Sequence, residues 1–135
     1  MADSGNALPV ARFSDAVIVG DIAYLSGQGP VSDGQIRLGT IEEETTLTLR
    51  NLIDAAVRVG GSAQSVVQCV CYLRQLSDVD AFNRVYISVF RGALPARVLV
   101  AAELQHGIKV EVHAVVAIGA GIQKVDRRNF AEADE

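Results

Sequence analysis

Two helix windows, each opened by a capping signal and closed by glycine, partition this chain and leave little freedom in what it can fold into. Thr40-Ile41-Glu42-Glu43 has the form of a capping box, with Thr40 as N-cap and Glu43 reaching back to it. The helix it opens carries Leu49, Leu52, Ile53, Ala56 and Val57 on one face and stops at Gly60-Gly61, where a glycine can take the left-handed C′ conformation. Ser77-Asp78-Val79-Asp80 opens the second helix. Phe82, Val85, Tyr86 and Val89 follow at i, i+3, i+4 and i+7, and Gly92 and Pro95 end the run.

Between and around these windows lie short β-branched runs. Ala16–Val19, a Gly20-Asp21 turn and Ile22–Ser26 read as a hairpin. Gly27-Gln28-Gly29-Pro30 is a tight bend that lacks the spacing of a phosphate-binding loop. Ser32-Asp33-Gly34 turns into a short strand over 35–38. Strands are expected at 65–73, 98–104 and 109–118, with Gln105-His106-Gly107 as a turn that leaves His106 in solvent. The order is β-β-(β)-α-β-α-β-β. Residues 1–12 read as a loose leader, 13–121 as one domain and 122–135 as a polar acidic tail.

Composition narrows the function. Half of the 135 residues are hydrophobic. A domain of this size buries only about two-thirds of its unfolded surface. Part of the apolar excess is therefore expected between subunits. The net charge is −4 and there is no tryptophan, which leaves neither a basic footprint nor a stacking platform for nucleic acid. No apolar run reaches the length of about 18 residues that a membrane helix needs, and the first residues lack the basic and apolar regions of a signal peptide. Cys69 and Cys71 share a strand face at about 6.6 Å. That is too far for a disulfide. Without a second ligand pair they do not form a zinc site either. They read as reduced, buried thiols of a cytoplasmic protein.

One charged residue stands out. Arg97, in Leu94-Pro95-Ala96-Arg97, precedes an apolar strand and lies fourteen positions before Glu111 of Lys109-Val110-Glu111-Val112. An arginine at the mouth of a buried strand needs an anionic partner. Either it forms a structural ion pair with Glu111 or Glu103, or its fork holds the carboxylate of a ligand.

The set of motifs Tyr24-Leu25-Ser26-Gly27-Gln28-Gly29-Pro30, Val59-Gly60-Gly61, Asp80-Ala81-Phe82-Asn83-Arg84-Val85-Tyr86, Pro95-Ala96-Arg97 and Lys109-Val110-Glu111-Val112, in this order over roughly residues 13–118, resembles the Rid (YjgF-type) family of reactive-intermediate deaminases. The resemblance implies an α+β, chorismate-mutase-like fold, a mixed sheet backed by two helices. It implies a homotrimer with ligand clefts between subunits, acting without metal or organic cofactor on small carboxylated enamines or imines and releasing ammonia and a keto acid. It maps the substrate-carboxylate clamp to Arg97 and the group that moves the proton to Glu111. Ser26 and Gly27 become cleft-lining residues, and Asn83 a neighbour of the site. Such chemistry needs a carboxyl group that can take and give a proton, and a clamp that aligns the substrate.

The chain departs from the family's pattern in four places. Phe13 stands where active members often carry a tyrosine whose hydroxyl reaches the ligand. Leu99 replaces a cysteine two residues after the arginine, which makes the pocket more apolar and crowded. His113 replaces a second glutamate, as a subunit contact or as an aid to proton transfer. The Arg91–Leu94 loop is short. Phe13 reads either as an apolar cleft wall or as the mark of a different substrate. Three functions follow: a general 2-imine/2-enamine deaminase; a deaminase for a larger enamine of the aminomuconate or aminoacrylate type; or a non-catalytic, ligand-binding, chaperone-like trimer. Some family members have been described as ribonucleases, which the acidic charge disfavours here.

Overall fold

The computed structural model describes residues 12–119 and 121–125. The expected leader and acidic tail therefore lie mostly outside the described residues. The strands are β1 (Ala16–Val19), β2 (Ile22–Leu25), β3 (Val31–Ser32), β4 (Gln35–Ile36), β5 (Val66–Leu73), β6 (Ala96–Ala101) and β7 (Val110–Ala117), and the helices are α1 (Ile41–Arg58) and α2 (Val79–Phe90). The main sheet has the order β1-β2-β7-β5-β6, and β3 and β4 form a separate two-stranded hairpin. Only β5 and β6 pair in parallel, since α2 crosses between them. The result is an α+β fold with a mixed sheet.

Both helices lie on one face of that sheet. Leu49, Leu52 and Ala56 of α1 and Phe82, Tyr86 and Phe90 of α2 are buried against Ala23, Leu25, Cys69, Cys71, Leu73, Val112, Ala114 and Val116. Each such leucine contributes about 1.5–3 kcal/mol by leaving water. The α2 aromatics form a ladder one turn apart, with ring centroids 5.6 Å apart for Phe82–Tyr86 and 4.9 Å for Tyr86–Phe90. Cys69 and Cys71 are free and buried. Burial pushes their thiols up to about 11 and about 12, which keeps them protonated and inert at neutral pH.

The capping box forms as expected: Glu43 N–H donates to Thr40 Oγ1 at 3.1 Å, and Thr40 N–H donates to Glu43 Oε1 at 2.9 Å. These bonds hold the Glu43 carboxyl below its ordinary range. At the other end of α1, Gly61 N–H donates to Ala56 O and Gly60 N–H to Val57 O, with Gly60 at φ +97. That is the Schellman pairing.

Four local expectations are corrected. Val57 is exposed, because it sits one residue, or 100° of helix rotation, past Ala56 on the buried stripe. Asp78 occupies the N-cap of α2 but makes no side-chain cap bond; a 3₁₀ turn over Leu76–Asp78 leads into the helix instead. α2 ends at Phe90 with Arg91, at φ +46, as its C-cap, one residue before the Gly92 stop that the sequence suggests. β6 starts at Ala96 and ends at Ala101, so Arg97 lies inside the strand rather than before it.

Candidate functional site

Glu111 sits where β2 leaves the sheet. The chain bends away after Leu25, yet Gln28 stays bridged to β7. Gln28 N–H donates to Val112 O at 2.8 Å, and Val112 N–H donates to Gln28 O at 3.0 Å. This bridge lays Gly27 against the Glu111 carboxylate, so that a β-carbon at residue 27 would stand 2.6 Å from Oε2. Glycine is required here for space, not for its torsion angles. Ser26 Oγ donates to Ser14 O and Ser26 N–H donates to Asp15 O, which ties down the segment carrying Phe13. From α1, Asn51 Nδ2 donates to Gly29 O and Val31 O, both at 2.9 Å, and holds the other side of the bend. Phe13, Ser26, Gly27, Gln28 and Glu111 thereby line one cleft of about 600 Å³.

The steric observation carries a prediction. A Gly27→Ala chain should fold with an unchanged melting temperature, because the flexible Glu111 side chain can give way. Displacing its carboxylate by several tenths of an ångström should cost about tenfold to a hundredfold in kcat/KM. Steady-state kinetics beside a thermal melt checks both halves.

Arg97 lies elsewhere. Its guanidinium stands over the Tyr86 ring at 4.8 Å and near the Phe82 ring at 5.9 Å, and its Nη1 donates to Asn83 Oδ1 at 2.8 Å. All three partners belong to α2. The rings contribute cation–π attraction and flatten the guanidinium against an aromatic wall. Asn83 holds one nitrogen and leaves the rest of the fork for a ligand. Burial pushes the Tyr86 phenol well above its ordinary range, so it stays neutral beside the arginine. Leu99 is half-buried and faces the same side as Arg97, since the two pair with Cys71 and Cys69.

The structural ion pair of Arg97 with Glu111 or Glu103 does not form. Among the described residues the one ion pair joins Lys109 to Glu44. The reason is register. Arg97 pairs with Cys69 and Glu111 pairs with Tyr72, and strand alternation sends their side chains to opposite faces of the sheet. The expected site residues thus fall into two groups. Phe13, Ser26, Gly27 and Glu111 come together; Arg97, Asn83 and Leu99 come together; no single chain joins the groups.

The sequence reading missed several cleft residues. Arg12, Asp15, Asn51 and Gln105 line the cleft, and so does His106, which is exposed but turned to the cleft wall. His106 carried one signal, its place in a turn just before the strand of Glu111. His113 lies on the Glu111 face, stacked on Tyr72 with ring centroids 5.9 Å apart, and its Nε2 is 3.4 Å from the Tyr72 hydroxyl.

The face of the sheet away from the helices is largely apolar, and none of the described residues covers it. Val17, Tyr24 and Val115 form one row across it, and His113, Val70 and Val98 follow one another in a second. Val17, Tyr24, Val98 and Val100 are all more than one-third exposed.

A mixed sheet with two helices on one face is the architecture that this chain shares with the YjgF-type proteins. Residues 4–118 match the family model described as Endoribonuclease L-PSP, and the chain belongs to that family, the one its motifs resemble. It is 32% identical over 117 residues to the mouse (Mus musculus) protein named 2-iminobutanoate/2-iminopropanoate deaminase, covering 84% of this chain and 87% of that one. It is 34% identical over 109 residues to the Schizosaccharomyces pombe protein mmf2, mitochondrial, covering 78% and 86%. The crystal structure of RidA from the Antarctic bacterium Psychrobacter sp. PAMC 21119 superposes with a TM-score of 0.76 at 28% identity, covering 86% of this chain and 97% of that one. Among the described residues no helix is long and apolar enough to cross a membrane.

Proposed function

We propose that this protein is a hydrolytic deaminase of small carboxylated imines and enamines, acting in clefts between the subunits of a homotrimer. One observation carries the reading: the arginine clamp and the cleft carboxylate lie on opposite faces of one sheet, and an uncovered apolar face adjoins the carboxylate. Packing that face against a second copy would bury its valines and tyrosines and bring one chain's Arg97 to its neighbour's Glu111. The deaminase name of the mouse relative supports the reaction class.

In this scheme Arg97, braced by Asn83 and the Tyr86 ring, holds the substrate carboxylate. An enamine first takes a proton from Glu111 on its β-carbon and becomes the iminium, the protonated imine. Water then attacks the imine carbon; its oxygen forms the new bond, and the C=N electron pair moves to nitrogen. Glu111 takes a proton from the water and delivers it to that nitrogen. The carbinolamine hydroxyl gives its proton back to Glu111 as the C–N bond breaks, so ammonia leaves, the ketone remains and Glu111 is again protonated. Phe13 supplies an apolar wall in place of a hydroxyl donor. The roomy cleft favours a substrate longer than three or four carbons as the second reading. Two inert, reduced thiols suit a reducing compartment, which we assign to the cytoplasm.

A coupled assay tests the proposal. An amino-acid oxidase generates 2-iminobutanoate or 2-iminopropanoate, semicarbazide traps the imine, and the rate of trapping is followed. Wild-type protein should lower semicarbazone formation and Arg97→Ala should not. Equal trapping with wild type and without protein, on these imines and on longer ones, overturns the deaminase reading.

A further inference from the structure

The cleft at Glu111 carries more charge than a small monocarboxylate would use. Arg12 and His106 line it together with Asp15 and Glu111. Neither carboxylate is within ion-pair distance of Arg12, because the one ion pair among the described residues is Lys109–Glu44. His106 is held at φ +63 and Gly107 at φ +75, two successive left-handed residues in the turn that forms a wall of the cleft. A non-glycine residue in that region stores strain of order 1–3 kcal/mol, which the surrounding structure must impose. Phe13, Pro30, Ile36 and Ile108 supply apolar wall in the same cleft. Its volume of about 600 Å³ lies well inside the range of roughly 300–1,000 Å³ that encloses drug-sized ligands.

We propose that Arg12 and His106 form a second anion-binding pole of this cleft, and that the substrate is an imine or enamine bearing a second carboxylate on a short carbon chain. The inference rests on the deaminase reading above and extends it. Arg97 of the neighbouring chain takes the first carboxylate and Glu111 moves the proton. The guanidinium and imidazole, which share the cleft with the Asp15 and Glu111 carboxylates, then face the far end of the ligand. A guanidinium fork matches a planar carboxylate. Asp15 in the same wall suits a singly charged carboxylate over a doubly charged phosphate, which it would repel more strongly.

The test compares 2-iminoglutarate, made in place by glutamate oxidase, with 2-iminobutanoate. Wild type should prefer the dicarboxylic imine in kcat/KM, and Arg12→Ala and His106→Ala should each lower that preference by about tenfold or more, through KM rather than kcat. A ratio equal to wild type in both variants overturns the second pole. Calorimetry with the stable keto acids separates this proposal from the deaminase reading. An Arg12-dependent preference for 2-oxoglutarate over 2-oxobutanoate upholds the second pole even if neither imine is hydrolysed. Equal affinities for the two acids overturn it.

Discussion

Equal mixing of Arg97→Ala and Glu111→Gln chains should restore imine hydrolysis that neither variant performs alone. Each single variant is expected to be nearly inactive, with Glu111→Gln losing about 10²–10⁴ in kcat through the proton transfer proposed for it. In a closed ring each cleft would draw Arg97 from one chain and Glu111 from the next, so random assembly leaves about one-quarter of the clefts with both groups intact. The chains are co-expressed, or unfolded together and refolded, and the specific activity is measured against wild type. Recovery toward one-quarter supports a cleft shared between chains. Activity no higher than that of the separate variants means that Arg97 and Glu111 never meet across an interface. The prediction follows from register: Arg97 stands opposite Cys69 and Glu111 opposite Tyr72, and residues 69 and 72 face opposite sides of β5.

Glu44→Ala should be the most destabilising single change outside the apolar core. The Glu44 side chain is fully buried. Its Oε1 accepts from Lys109 N–H at 2.8 Å, and its Oε2 accepts from Gly39 N–H and Lys109 Nζ, both at 3.1 Å. One carboxylate thus joins the start of α1 to the start of β7. Its removal leaves two backbone donors without an acceptor and a lysine without its counter-ion. Breaking a buried pair from one side costs about 3–5 kcal/mol. For a domain of this size that lowers the melting temperature by roughly 10–25 °C. Lys109→Ala should cost less, because the Lys109 side chain is 38% exposed and Glu44 keeps its two backbone donors. Urea unfolding of both variants checks the order. A Glu44→Ala loss below about 1 kcal/mol would show that the carboxylate is not the link described. Glu111 lies two residues beyond Lys109, so the same link sets the strand that carries the cleft carboxylate.

Glu44 also shows where reading the chain in one dimension stops. The Thr40-Ile41-Glu42-Glu43 box announced the start of α1, and its bonds form between residues three apart. Nothing local marks the next glutamate as buried, because its partners are Lys109, sixty-five positions away, and the backbone N–H of Gly39. Thr45 and Thr48 are buried on the same stripe, a place that the apolar pattern reserved for Leu49 and Leu52. Asp78 is a related case. Its residue type marked the right position, but the chain enters α2 through a 3₁₀ turn and the side chain makes no cap bond.

Local chemistry determined the elements of this protein. Capping residues, glycine stops and period-two or period-3.6 apolar spacing act over a few residues and are written in sequence order. The same holds for the motif set of the Rid family, which named Arg97, Glu111, Gly27, Ser26 and Asn83 before any geometry was known. Tertiary structure alone decided how those residues are distributed. Pairing register sends a side chain to one face of a sheet or the other, and register depends on which strands meet across β7, not on the spacing between residues 97 and 111. It separated the arginine from the carboxylate, seated the carboxylate on Gly27 through the Gln28–Val112 bridge, and brought Arg12 and His106, ninety-four positions apart, to the wall of one cleft.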